Sequence, residues 1–429
     1  MNPSFRFIHA ADLHLDSPFR GLAKAPDAVR EALADSTFAA VRRLTDTAIA
    51  EKADFIVIAG DLFDEADRSL RAQLALLKEW ERLEREGVAV FAIHGNHDHL
   101  GGKRAQLTLP RNVHLFGADS VSHKPAFSRN GELAAFVYGL SYGQRAETRN
   151  LAASYRLETG APFHIGLLHA NVGGNPAHDA YAPCSIDELA ASGFDYWALG
   201  HIHKRELLYE YPHIVYPGNI QGRNPRETGA KGCCVIDVSE QKRVEIRFVP
   251  LDTVRWAERE VSIEGASTEQ ELLRRLQRTV ATIREEEEGR SIMLRLRLQG
   301  RGELYSKINQ PLALDALLGE LQAGEPLEDA PWVYCYSITS QIGAPIDWEA
   351  LSAEESFAGV LLRLSQQLER DEEKWQAFAQ IALEDVRLHA KLGRIGREKW
   401  DKLPAEWLEQ AKELTLGLMT ASDGRARRE

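Results

Sequence analysis

Apolar positions in the first half of the chain switch between two periods. Phe5–Ala10, Phe55–Ala59 and Val88–Ile93 read as strands, and the unbroken apolar run Phe55–Ala59 suits a strand buried on both faces. Between them, Ser36–Glu51 carries Phe38, Val41, Leu44, Ala48 and Ile49 at helical spacing. Arg68–Glu86 reads as a second helix, and Gly87 stands where a helix-terminating glycine belongs. The order strand, helix, strand, helix, strand predicts a sheet that is at least partly parallel, with helices on both faces. Shorter strands follow at Leu133–Tyr138, His164–Leu168, Tyr196–Leu199, Ile214–Tyr216 and Cys233–Val238.

Past Pro250 the texture changes. Arg259–Ile263, Ser291–Leu298 and Trp332–Thr339 read as strands, with a helix over Glu269–Glu287. From Ala353 the pattern is helical to about Thr420, broken near Gly393 and Pro404, and the tail Ser422–Glu429 is polar. Three parts are expected: residues 1–250, a small α+β part over 251–348 and a helical part over 349–429. At ~150 residues per domain, 429 residues agree with two or three. Apolar residues make up 44%, which excludes wholesale disorder. No apolar run reaches membrane-spanning length, and the first residues hold no signal-peptide core. The four cysteines lack metal or disulfide spacing, so a protein of the reducing cytoplasm is expected. The net charge of −12 argues against a purely electrostatic DNA binder, although bound metals and local basic patches leave nucleic acid open.

One regularity carries the chemistry. Strand after strand ends in metal-binding residue types: Asp12-Leu13-His14, Gly60-Asp61-Leu62-Phe63-Asp64, Gly95-Asn96-His97-Asp98, His169-Ala170-Asn171 and Gly200-His201-Ile202-His203. In open α/β sheets, ligands bind beyond the carboxyl ends of strands, so these side chains should converge. Each piece alone is ordinary, since an aspartate often caps a helix and a lone histidine often packs in a core. Five in succession are expected to form a metal centre. Its carboxylate, imidazole and amide donors suit Mn²⁺ or a similar first-row ion better than a metal that prefers thiolates.

In that order the five motifs resemble the signature of the calcineurin-like metallophosphoesterases. The resemblance implies an α/β metallophosphoesterase sandwich, mixed sheets flanked by helices, with a small α+β capping domain and a helical C-terminus. It also implies two divalent ions, expected to be Mn²⁺. Asp12, His14 and His203 would hold the first, Asn96, His169 and His201 the second, and Asp61 would bridge them. The ions would polarise a phosphoester and activate water, with His97 as general acid to the leaving oxygen. Asp98 is expected to orient His97, or else to stabilise its own turn. Asp64 is expected to hold the Asp61 loop or to cap the next helix. Asp16 and Arg20 would contact substrate or start a helix. In the Gly- and Pro-containing loop Asn171–Pro183, His178 and Tyr181 would read the substrate or belong to an ordinary connection. Arg223 is a candidate phosphate contact.

A closer resemblance narrows the substrate. Phe7–Phe19, Tyr181–Ser185 and Asp195–Arg205, together with the three-part organisation, look like the SbcD-type DNA double-strand-break repair nucleases, YhaO-like branch. That implies a 3′-to-5′ exonuclease and single-strand endonuclease, a homodimer, and docking of the C-terminal helices on an SbcC-type coiled-coil ATPase. Phe357, Val360, Leu361, Leu364, Leu368 and Trp375 form an apolar stripe that would suit such docking or pack on the chain's own helices. The alternatives are a phosphodiesterase or phosphatase acting on nucleotides or other small phosphoesters, and a DNA-end-binding scaffold with weak hydrolysis.

Overall fold

The structure, a computed structural model, describes residues 2–19, 25–103, 105–174, 179–287, 289–328, 331–384 and 405–426. The chain forms two compact units, one of Met1–Ala257 with Glu287–Leu294 and Pro326–Tyr334, the other of Glu258–Glu286, Arg295–Glu325 and Cys335–Glu429.

In the first unit, β1 (Phe5–Ala10), β2 (Phe55–Ala59), β3 (Ala89–Ile93) and β4 (Val113–Leu115) are parallel neighbours. Helices α1 (Asp27–Ala50) and α2 (Leu70–Arg85) make the first two crossovers. A second sheet contains β5 (Ser122–Phe127), β6 (Leu133–Gly139), β7 (His164–His169), β8 (Tyr196–Gly200), β9 (Glu206–Glu210) and β10 (His213–Tyr216), in the order β5-β6-β7-β8-β10-β9. The short helix α3 (Ile186–Ala190) precedes β8. Then β11 (Gly232–Val238) and β12 (Val244–Pro250) return antiparallel to the far side of β1, giving the first sheet the order β12-β11-β1-β2-β3-β4. Both sheets are therefore mixed.

The unbroken apolar run of β2 is explained by what covers its faces. Phe55 and Val57 point between the sheets with Phe7, Phe91, Ile165, Leu167 and Ala198. Ile56 and Ile58 point the other way, onto Phe38, Val41, Leu44, Leu76 and Trp80 of the two helices. The rings of Phe7 and Phe55 stack with centroids 5.3 Å apart. Each such buried side chain contributes about 1.5–3 kcal/mol relative to exposure.

Three differences from the sequence reading have physical causes. Helix α1 begins at Asp27, nine residues before Ser36. Val29 and Leu33 extend its buried stripe, but the charged Arg30, Glu31 and Asp35 around them mask the period. Strands β5 and β9 are mostly exposed edge strands of their sheet: β5 has no apolar run and contains Pro125, which an edge tolerates, and the short run Leu207-Leu208-Tyr209 of β9 is bounded by Glu206 and Glu210. Strand β12 alternates Val244, Ile246 and Phe248 with charged residues, a one-sided pattern rather than a long apolar run.

Farther along, β13 (Val254–Ser262), β14 (Ser291–Arg301) and β15 (Val333–Gly343) form a three-stranded sheet in that order. Helix α4 (Glu269–Glu286) buries Leu272, Leu276 and Ile283, and α5 (Tyr305–Ile308) and α6 (Ala313–Ala323) precede β15. The C-terminal helices are α7 (Trp348–Ala353), α8 (Phe357–Glu369), α9 (Glu372–Ala382) and α10 (Ala405–Ala426). Ser356 and Asp371 cap α8 and α9 by accepting from the amides of Gly359 and Lys374. The expected apolar stripe divides here. Leu361 packs beside Leu351, Leu362 and Leu416, and Leu368 packs with Trp375, Ala379 and Leu408. Phe357, Val360 and Leu364 stay exposed. The expected breaks at Gly393 and Pro404 lie outside the described residues. Among the described residues, no helix is long and apolar enough to cross a membrane. The four cysteines are free and buried.

Candidate metal centre

The motif residues leave the carboxyl ends of β1, β2, β3, β7 and β8 and meet in one place. Their backbone is unusual. Asp12, His14, Asp61 and His201 have φ of 53°, 43°, 50° and 96°, where side-chain-bearing residues cost about 1–3 kcal/mol each. Cross-strand hydrogen bonds hold them there. The Asp12 amide donates to the Gly60 carbonyl at 3.1 Å, the His14 amide to the Asp61 carbonyl at 3.0 Å, and the His201 amide to Asp12 Oδ1 at 3.1 Å.

Two donor groups result, sharing the Asp12 carboxylate, and Asp61 lies near the histidines of both. Single ligand atoms of Asp12, His14 and His203 lie within 4.8 Å of one another. In this group, His14 Nε2 lies 3.1 Å from His203 Nε2 and 3.7 Å from Asp61 Oδ2. Ligand atoms of Asp12, Asp61 and His169 form a second such group, with His169 Nε2 3.4 Å from Asp61 Oδ2 and 3.0 Å from Asn96 Oδ1. The ring of His201 meets that of His169 at a centroid separation of 5.3 Å.

The remaining ring nitrogens fix the tautomers. His203 Nδ1 is 2.9 Å from Glu227 Oε1, and His14 Nδ1 is 3.3 Å from Asp64 Oδ1. With its Nδ1 proton directed at Glu227, His203 turns an Nε2 lone pair toward His14 Nε2, and the buried His14 Nδ1 makes no hydrogen bond; an orphaned ring nitrogen among carboxylates suits a site built for a cation. His169 Nδ1 donates to the Ala59 carbonyl at 2.9 Å, and His201 Nε2 to the Asp179 carbonyl at 3.0 Å, making His201 Nδ1 its lone-pair nitrogen. This donor set fits a pair of divalent cations.

Electrostatics agree. Burial and then the Arg223 charge push His14 down to about 3, so it is a neutral ligand. Burial opposes protonation of His169, but Asp61 overcomes it and holds the ring up to about 9. A proton there does in part what an ion would do. Burial works against ionised Glu227, yet His203 and Arg223 hold its carboxyl well below the usual range. Asp64, despite burial, is held down to about 2 by His14 and Arg223.

Several expectations need correcting. Asp98 does not orient His97. Its Oδ2 accepts from the Leu62 amide at 3.0 Å and pairs with His94 Nδ1 at 2.8 Å, while Oδ1 accepts from the Gly95 amide at 2.8 Å. It clamps the Asp61 and Asn96 loops together. His97 instead donates from Nδ1 to the Asp64 carbonyl at 2.7 Å, and its amide donates to Asp61 Oδ1 at 3.0 Å. Asp64 acts on His14 and His97, and the cap of α2 is Ser69. Arg223 bonds to Asp64 and lies 3.3 Å from Ser17 Oγ, so its guanidinium braces the site wall. Asp16 faces Arg71 at 4.0 Å. Tyr181 sets its ring edge against His201, with centroids 5.6 Å apart. Arg20 and His178 lie outside the described residues. The residue that sequence reasoning missed is Glu227. It lies in no strand and no motif, and besides His203 it accepts from Asn219, Asn224 and the Arg223 amide.

Comparison with known proteins agrees with this geometry. Residues 5–205 match the calcineurin-like phosphoesterase family, and residues 256–341 match the middle domain of metallophosphoesterase YhaO. An uncharacterised metallophosphoesterase YhaO of Bacillus subtilis is 44% identical over 324 residues, which cover 75% of this chain and 78% of that protein. The chain belongs to the calcineurin-like metallophosphoesterases, in the YhaO-like branch. DNA double-strand break repair proteins Mre11 of Methanopyrus kandleri and Sulfurisphaera tokodaii are 27% and 28% identical. Those alignments cover 64% and 54% of this chain, and 62% and 60% of the relatives.

Glycine shows how little room this metallophosphoesterase leaves around its donors. A Cβ on Gly95 would overlap the Asp61 carboxylate and the His169 ring. The Gly95→Ala variant is therefore expected to lose bound metal and activity, with a drop in melting temperature. Metal content per chain after dialysis checks it; unchanged content would show that the loop yields without disturbing Asp61.

Proposed function

We propose that this metallophosphoesterase is a metal-dependent DNA phosphodiesterase, a 3′-to-5′ exonuclease and single-strand endonuclease in double-strand-break repair. The observation that carries the reading is the paired donor set with His97 beside it, at the ends of five strands. Asp12, His14 and His203 would hold one divalent ion, Asn96, His169 and His201 the other, and Asp61 would serve both. Oxygen and imidazole donors without thiolate favour Mn²⁺. When bound, the ions supply Lewis acidity toward the phosphoryl oxygens and a water of lowered pKa. His97 faces the same space. With Nδ1–H tied to the Asp64 carbonyl, the protonated ring gives its Nε2 proton to the leaving sugar oxygen. The DNA substrate is supported by relatives named as double-strand break repair proteins.

The rest of the chain is read in the same way. Residues 251–348 form a cap and 349–429 a docking part. Phe357, Val360 and Leu364, exposed at i, i+3 and i+7 on α8, offer an apolar ridge to an SbcC-type ATPase in the cytoplasm. Leu70 and Leu74, exposed one turn apart on α2, support a homodimer through that helix.

Charge favours a second reading, a phosphodiesterase or phosphatase for nucleotides or other small phosphoesters. The chain carries −12, and the β14 arginines Arg295 and Arg297 are paired with Glu258 of β13 rather than open to a duplex. Mn²⁺-dependent loss of label from the 3′ end of a DNA duplex decides between them. The nuclease reading expects release of labelled mononucleotide. Turnover of nucleotides with the duplex left intact, even after an ATPase partner is added, would favour the second reading.

A further inference from the structure

We propose that the cavity beside α2 is a binding site for a small, neutral, ring-shaped molecule with one hydrogen-bond donor, seated against His94 behind the metal loops. The site is independent of the choice between DNA and small phosphoesters. None of the residues that line it is a proposed metal ligand or His97.

The cavity measures about 420 Å³. An apolar void of about 150 Å³ already admits benzene, and small-molecule sites run from about 300 to 1,000 Å³. Leu76, Leu77 and Trp80 of α2 form one wall, and Leu107 closes the cavity from the loop between β3 and β4. Leu62 and His94, which follow β2 and β3, complete the lining. Other polar groups of the wall are already engaged. Gln73 Nε2 donates to the Arg68 carbonyl at 2.9 Å, and its Oε1 accepts from the Ala105 amide at 2.9 Å. The Arg68 guanidinium lies over the Phe63 ring, 5.3 Å from its centroid, and bonds to the Asp98 carbonyl. An anion finds no free cation in this wall, so the ligand class is neutral.

His94 supplies the specific contact. It is 1% exposed, and its Nε2 makes no hydrogen bond. Nδ1 donates to Asp98 Oδ2 at 2.8 Å, which leaves Nε2 of the neutral ring as an acceptor. A buried acceptor without a partner is costly, and a ligand N–H or O–H removes that cost while its ring replaces water against leucine and tryptophan. The contact also has a consequence for the metal loops. Asp98 accepts from the Leu62 and Gly95 amides, so a ligand that reaches His94 abuts the clamp between the Asp61 and Asn96 loops.

The test is a ligand-observed NMR titration of the full chain with indole and with benzofuran, which has the same shape but an oxygen in place of the N–H. Indole is expected to bind saturably, roughly 2–10-fold tighter than benzofuran, the range of one hydrogen bond. Leu77→Trp and Leu107→Trp fill the cavity from two different walls, and each should abolish saturable binding of both probes. If one of them unfolds the chain, as its melting curve would show, the other gives the same readout. His94→Phe keeps a ring without the acceptor and should erase the preference for indole. Absence of saturable indole binding to the wild type, or binding that survives the tryptophan substitutions, would overturn the site. Equal affinity of the wild type for the two probes would overturn the donor contact with His94.

Discussion

Replacing Asp61 is expected to empty both ion positions at once. Its carboxylate lies 3.7 Å from His14 Nε2 and 3.4 Å from His169 Nε2, and it is buried where an ion could not recover a lost anionic ligand from solvent. Asp61→Ala also removes the acceptor for the His97 amide, so Asp61→Asn is the cleaner variant: it keeps an oxygen there and loses only the charge. Metal content after dialysis should fall from two ions per chain to none for alanine and below one for asparagine. Hydrolysis should fall by roughly 10³-fold or more, since several kcal/mol of charge stabilisation are lost and each ~1.4 kcal/mol is tenfold. A second readout is thermal. An ion present at a hundred times its dissociation constant stabilises the folded state by about 2.7 kcal/mol. The wild-type melting temperature should therefore rise with added Mn²⁺ while that of Asp61→Asn stays flat. A variant that kept two ions would show that each group closes around its ion without a shared carboxylate.

The donor set was legible because metal ligands of an α/β fold sit directly after apolar strands. Asp12, Asp61, Asn96, His169 and His201 each follow such a run by two or three residues at most, so the strand period and the ligand types mark them together. What supports those ligands was not legible, because it depends on how loops turn. Asp98 follows His97 in sequence, and adjacency suggested a pair. In the turn the two side chains diverge, and Asp98 reaches back to the amides of Leu62 and Gly95. Arg223 resembled a phosphate contact by residue type, yet Asp64, 159 positions away, claims it. Glu227 had no local signal, because its role depends on a loop that brings it back to His203 across 24 residues. Edge strands followed the same rule: β5 and β9 owe their place to neighbours rather than to their own hydrophobicity.

For His97→Ala, hydrolysis of DNA is expected to fall ~10²–10⁴-fold while both ions stay bound. The geometry separates the two effects. What His97 gives Asp61 is a hydrogen bond from its backbone amide, which alanine retains. Its side chain touches the Asp64 carbonyl and stacks edge-on against His14, with centroids 4.8 Å apart, so its loss leaves the donor atoms in place. The chemical step is another matter. A sugar alkoxide is a poor leaving group and needs the proton carried by the imidazole, a contribution of about 3–5.5 kcal/mol at that rate loss. An aryl phosphodiester with a nitrophenolate leaving group needs no proton. On that substrate the variant should keep most of its wild-type rate. The comparison therefore distinguishes proton donation from phosphate binding: a general acid loses the DNA substrate alone, whereas a residue that merely holds the phosphate would lose both substrates to the same degree.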